Sequence, residues 1–359
     1  MYCVKKKAEV QSEMRKLFWL PIAAAAIPLA GVVYQKLSER SDRRRYGNNG
    51  RLVRVGSKTI YVNDARHARE DSGPHPTILF ESGIGATSQN WLQLQSAIAS
   101  EYRAVSYDRA GLGWSSGHVS SATPKVLARE LHDLLKMAGI AGPYVVVAHS
   151  FGGLVARQFA ADYPGEVLGL LLVDPMRPED WPPLGNLGMA SVTQGIRLAR
   201  AGRVAAQVGL SRLFMRSTLL GSRRVAGFLC RIGGEPAQNL MDRMLCEAGK
   251  MPRESWPAVV ANWSRPGFYR TLEAYLRSIP EAVTEMHAAA PIDLPVTVLT
   301  PISATPLTQE QIRSISSKAI QVFAPASAHW IHLDEPELVL REFHRLLSVC
   351  AQRLASPTT

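Results

Sequence analysis

Cysteine is scarce. The chain of 359 residues has 4, at Cys3, Cys230, Cys246 and Cys350, with no CxxC pair and no Cys/His zinc spacing. That excludes a zinc-stapled or disulfide-dense scaffold. Only a Cys230–Cys246 bridge stays open, and then only outside the cytoplasm. No internal repeat is present, and the only low-complexity tract is the Ala23–Ala26 run. Acidic residues are outnumbered, 30 against 41 Lys+Arg, but the imbalance is local. Residues 1–58 hold 13 basic and 4 acidic residues, which leaves 28 and 26 for the remainder. A basic N-terminus on a nearly balanced body, with no nucleic-acid-binding motif, excludes a nucleic-acid partner and suits a membrane surface.

What is present is a core. Apolar residues make up 46% of the chain, enough for one large α/β domain, alone or with an insertion. Leu17 to Tyr34 reads LFWLPIAAAAIPLAGVVY, without a charge, between Lys16 and Lys36. As a helix, such a run spans about 27 Å, close to a bilayer core of about 30 Å. Trp19 and Tyr34 stand near its ends, where amphipathic rings favour the interface. Pro21 and Pro28 are tolerated in membrane helices. The expectation is a retained single-pass anchor and a membrane localisation. A cleaved signal peptide is the rival, although a cut after Ala30 puts Pro28 at −3. Basic residues on both flanks leave the side of the membrane open. A polar, basic linker follows, so residues 1–46 form anchor and linker.

From Arg51 onward short β-rich runs alternate with helical patterns. RLVRVG and KTIYVND read as a hairpin turning at Gly56–Ser57. TPKVLARELHDLLKMAG has Thr123 as cap, Pro124 in the first turn and Gly139 as stop. The unbroken apolar runs VVV and LLLV mark strands covered on both faces, hence a largely parallel sheet. The fold class is α/β, a doubly wound sheet. Residues 176–290 break the alternation, with helical spacing and 15 basic against 9 acidic residues. They read as a helical cap inserted into a core of residues 47–175 and 291–359. Its arginines suit either an anionic substrate or a solvated helical face.

YVVVAHSFGG, Tyr144 to Gly153, poses the chemical question. A buried strand ends in a polar pair and turns at once. A nucleophile elbow needs that layout, a strand, a strained turn bearing the nucleophile and a helix, with small residues at −2 and +2. Ser150 has Ala148 and Gly152 there. The N–H of Phe151, at the helix start, would face the reacting atom.

With ESGIGATSQNW, YDRAGLGWS and SAHWIHLDEPELV in order around this elbow, residues 51–353 resemble the α/β-hydrolase superfamily, and most closely its bacterial members with an N-terminal apolar segment. The resemblance implies a serine hydrolase acting on a small-molecule ester or related acyl bond, without metal or organic cofactor. It places the second oxyanion donor at the N–H of Ile84, although Ser82–Gly83 stands where the family has His-Gly. It makes His329 the base, with His332 the competitor. Asp108 and Arg109 are expected to organise their loop. The family's common acid site after the seventh strand holds no carboxylate before Glu310. The alternative site, the end of the sixth strand, offers Asp174, in the order Ser150, Asp174, His329. Epoxide hydrolases and haloalkane dehalogenases of this fold carry Asp at the elbow, so Ser150 argues against both. A ligand-binding module on the same fold remains the alternative. Substrate identity and oligomeric state are not legible.

Overall fold

The computed structural model describes residues 26–66, 75–178, 186–221, 242 and 245–355. Eight strands form one sheet in the order β1-β2-β4-β3-β5-β6-β7-β8. They are β1 (Arg51–Val55), β2 (Lys58–Ala65), β3 (Thr77–Glu81), β4 (Ala104–Asp108), β5 (Tyr144–His149), β6 (Val167–Val173), β7 (Val296–Pro301) and β8 (Ala319–Ala324). The β1–β2 hairpin joins the sheet antiparallel to β4, and β3 to β8 run parallel. The helices are α1 (26–46), α2 (Leu92–Ile98), α3 (Pro124–Ala138), α4 (Gly152–Asp162), α5 (Asn186–Gln207), α6 (Leu210–Met215), α7 (245–250), α8 (Trp256–Trp263), α9 (Pro266–His287), α10 (Gln309–Ile315), α11 (Ile331–Asp334) and α12 (Pro336–Ala355).

The strand pattern has the cause the sequence suggests. Val146 and Ala148 of β5 pack on one face, with α3, α4 and part of α9. Val145 and Val147 pack on the other, with α2 and α12. Period-two alternation sends neighbours to opposite faces, so a strand buried on both needs an unbroken apolar run. Burying each valine or leucine in this way stabilises the fold by roughly 1.5–3 kcal/mol. Helix α3 begins and ends where its capping residues stand. The Thr123 side chain accepts from Val126 N, and Gly139 closes the helix at φ +65°. Between β6 and β7 the named elements are all helical. Cys246 is a free thiol, and Cys230, its candidate partner, lies outside the described residues.

The N-terminal expectation is corrected. No helix among the described residues is long and apolar enough to cross a membrane. Residues 17–25 of the apolar run lie outside the described residues. The rest of the run does not stand alone but opens α1, which continues through Lys36, Glu39, Arg40, Asp42 and Arg43 to Tyr46. The expected linker is therefore helical over much of its length. Helix α1 docks on the chain's own helices. Gln35 is buried, donates to Ser264 O at 2.9 Å and accepts from Arg212 Nε at 3.0 Å. The buried Arg212 guanidinium also pairs with Asp42. Gly31 lies so close to Val208 that a Cβ would meet its carbonyl oxygen at 2.2 Å. Gln35 and Asp42 of α1 thus meet protein partners. The membrane anchor, the membrane partner and the membrane localisation fall with that finding.

Candidate active site

Strand β5 delivers Ser150 at the carboxyl edge of the sheet. The turn is strained, with Ser150 at φ +53°, a left-handed conformation that costs a non-glycine residue about 1–3 kcal/mol. Backbone bonds over-determine it. Ser150 N donates to Val173 O at 3.1 Å, and Ser150 O accepts from Gly153 N at 2.9 Å and Met176 N at 3.0 Å. The small neighbours have steric causes. A Cβ on Gly152 would sit 2.6 Å from the carbonyl oxygens of Glu81 and Ser82, and one on Gly153 2.8 Å from Pro175 Cβ. The polar pair His149–Ser150 therefore ends a buried strand because this turn lifts it above the sheet.

The structure brings Asp174 and His329 together. Asp174 follows β6, itself left-handed at φ +40°, and its N–H donates to Leu299 O at 2.8 Å. Its Oδ2 lies 2.7 Å from His329 Nδ1. The carboxylate accepts the Nδ1 proton, which leaves Nε2 with the lone pair that a general base needs. His329 is held from a second side, since its carbonyl accepts from His149 Nε2 at 2.9 Å. Among the described residues no hydrogen bond joins Ser150 to His329. Such bonds are often loose without substrate and tighten in the reacting complex.

Gly83 brings the β3 loop over Ser150. A Cβ on Gly83 would lie 3.3 Å from Ser150 Cβ and 3.1 Å from His149 Nδ1. Ile84, next in the chain, is half-buried against the core, and Phe151 is wholly buried. The backbone N–H of neither has an acceptor among the described residues. Free N–H groups on both sides of a serine are what an oxyanion hole requires.

Arg109 fastens that loop. Its Nε donates to Glu81 Oε1 at 2.7 Å, and its guanidinium also donates to the carbonyls of Ser82 and Gly83. Tyr107 donates to the other Glu81 oxygen. Both groups are buried, and the Arg109 guanidinium lies against the rings of Phe151 and Tyr275. Burial alone would lower the arginine's pKa, but Glu81 together with Tyr275 and Tyr107 outweighs it and the guanidinium stays charged. Burial first, then Glu81, pushes the Tyr107 phenol well up. Asp108 acts likewise as an organiser, accepting from Ser88 N and Trp114 N at 2.8 Å each.

His332 does not compete for the acid. It is buried, with both ring nitrogens unpartnered. It packs in a column of tilted rings: His329 and His149 centroids are 4.6 Å apart, His149 and His332 4.4 Å, His332 and Trp91 4.6 Å. Burial, then His329 and Lys250, lowers His332 to about 3. Burial, then His332 and His329, lowers His149 well below the usual range. Both rings are neutral at physiological pH. Among the described residues no group of three or more His, Cys, Asp or Glu is placed to hold a metal ion.

Sequence reasoning missed two polar residues. Asn90 donates through Nδ2 to Glu247 Oε1 at 2.7 Å, while its Oδ1 accepts from Thr87 N at 3.1 Å. Thr87 followed three residues on by Asn90 is a capping-box spacing that could have flagged the first. Nothing local flags Glu247, since its role comes from a contact 157 residues away.

Residues 78–342 match the model of the alpha/beta hydrolase family. The chain belongs to that family. It is 36% identical over 110 residues to the uncharacterized protein YqjL of Bacillus subtilis (31% of this chain, 43% of that one). It is 37% identical over 100 residues to a protein provisionally named carbamate hydrolase RutD in Escherichia coli O103:H2 (28% and 37%). The chain thus spans less than half the length of either relative. Among solved structures, Cfl2 from Burkholderia cenocepacia superimposes with a TM-score of 0.63 at 20% identity, covering 82% of this chain and 94% of that one. That likeness concerns the fold alone.

Proposed function

We propose that the protein is a serine hydrolase that cleaves a small-molecule ester or related acyl bond, carbamates included, through an acyl-enzyme. The 2.7 Å contact between His329 Nδ1 and Asp174 Oδ2, at the edge of the sheet that carries Ser150, supports this reading best.

In the reading, Ser150 Oγ attacks the substrate carbonyl and His329 Nε2 takes its proton. A C–O bond forms, and the carbonyl electrons move onto oxygen. The N–H groups of Ile84 and Phe151 receive that oxyanion. Losing one such donor typically costs about 10²–10³ in rate. The intermediate collapses, and His329 returns the proton to the departing alcohol or amine. Water then attacks the acyl-enzyme with His329 as base, releasing the acid and restoring Ser150. Asp174 holds the ring tautomer and stabilises the imidazolium. The helical segment of residues 176–290 acts as a cap that shapes the pocket. No step needs a metal or an organic cofactor.

A p-nitrophenyl ester series run on wild type, Ser150→Ala and His329→Ala tests this. The reading expects turnover by wild type and a loss of about 10³-fold or more in both variants. Turnover that survives Ser150→Ala contradicts it. The binding-module alternative expects no turnover from any of them.

A further inference from the structure

The segment of residues 176–290 is basic overall, yet the side chain it sets on the helical turn after the β3 loop is a carboxylate, Glu247. Among the described residues, five of its arginines are engaged elsewhere. Arg212 pairs with Asp42, Arg200 and Arg277 pair with Glu273, Arg265 donates to Gly113 O, and Arg177 to Thr305 O. Lys250 does approach the His329 loop, but its ammonium pairs with Asp334 at 2.5 Å and lies over the Trp330 ring.

Glu247, less than one turn before Lys250 on α7, has no such match. Its Oε1 accepts from Asn90 Nδ2 at 2.7 Å. Among the described residues no cation pairs with it. Its neighbours place it. Asn90 completes the capping box of the helical turn that follows the β3 loop bearing Ile84, and Lys250 holds α7 against Trp330 and Asp334, just past His329. Glu247 therefore lies between the helical turn after the β3 loop and the segment just past His329. Burial raises its carboxyl pKa, with the Asn90 bond and His329 opposing. Glu247 is half-buried, and a carboxylate partly withdrawn from water without a counter-charge is costly; such groups concentrate at functional sites.

We propose that Glu247 forms a binding subsite for a cationic group, an alkylammonium or a similar charge, on the substrate's acyl or alcohol part. The cation would supply the missing counter-charge, while Asn90 keeps the carboxylate aimed. The proposal rests on the serine-hydrolase reading and deepens it by naming a substrate class.

Two matched substrate pairs test it. Acetylthiocholine against S-(3,3-dimethylbutyl) thioacetate places the charge on the leaving side, with shape conserved. p-Nitrophenyl 6-aminohexanoate against p-nitrophenyl heptanoate places it on the acyl side. Wild type is expected to prefer the cation in at least one pair by about tenfold or more in kcat/KM, the scale of one charge-assisted hydrogen bond. Glu247→Gln, which keeps the acceptor for Asn90, should bring that ratio close to one. Glu247→Lys should reverse it. Equal or poorer turnover of the cationic member of both pairs, with the neutral members hydrolysed, overturns the subsite and leaves the hydrolase reading standing. No turnover of any of the four substrates overturns both.

Discussion

Asp174 and His329, 155 residues apart in sequence, meet at 2.7 Å through Oδ2 and Nδ1. Strand β6 ends at the one, and the loop after β8 carries the other. Asp174→Asn retains the shape but not the charge, and an amide Nδ2–H facing Nδ1 favours the wrong tautomer. We expect kcat to fall by about 10³–10⁴-fold with the far-UV spectrum unchanged. An effect below tenfold would show that a different group orients His329.

Arg109 should matter for both stability and rate. Replacing it with Met leaves Glu81 charged and buried without its partner, which typically costs about 3–5 kcal/mol. It also frees the carbonyls of Ser82 and Gly83, so the loop carrying Ile84 loses its fastening. Urea unfolding should show the stability loss. A fall in kcat larger than any rise in KM should mark the loosened oxyanion side. Arg109→Lys should recover stability only in part, because an ammonium lacks the planar fork.

The histidine column predicts acid sensitivity. His149 and His332 have lowered pKa values in the folded protein and ordinary ones, near 6.5, once unfolded. Above that value both states are neutral and nothing changes. Below it the unfolded chain binds protons that the native state refuses. Stability therefore falls with pH, by up to about 1.4 kcal/mol per pH unit per ring. For His332 the fall continues toward its folded value of about 3. Chemical denaturation from pH 7.5 to 4.5 should show a shallower decline in His332→Phe than in wild type.

The docking of α1 gives a fourth expectation. Arg212→Met removes the partner of Asp42 and one partner of Gln35. Amide exchange across residues 35–46 should rise by an order of magnitude or more relative to wild type, while β5 stays protected. Unchanged exchange would mean that the ion pair does not hold this helix.

Much of the fold was legible because its signals are local. The unbroken apolar runs of β5 and β6, Thr123 before Pro124, and Gly139 at a left-handed stop each act within a few residues. The strained turn at Ser150 was legible for the same reason, as a strand, a small residue and two glycines stand in one short stretch. What was not legible depends on distant partners. The apolar run ending at Tyr34 has the composition of a bilayer span, but Gln35 one residue later is fixed by Arg212 and Ser264. Arg109 read as a loop organiser, and only the packing of β3 beside β4 sets its guanidinium on Glu81 and the Ser82 carbonyl. Glu247 is one acidic residue in a basic segment until α7 folds back onto Asn90.

The nucleophile decides the central claim. Intact-mass analysis after reaction with a fluorophosphonate, followed by peptide mapping, reads it directly in the full chain. The account predicts one adduct per chain, on Ser150, absent from Ser150→Ala and formed far more slowly by Asp174→Asn. An unlabelled wild type that still hydrolyses esters, or an adduct on another residue with Ser150→Ala fully active, would contradict it.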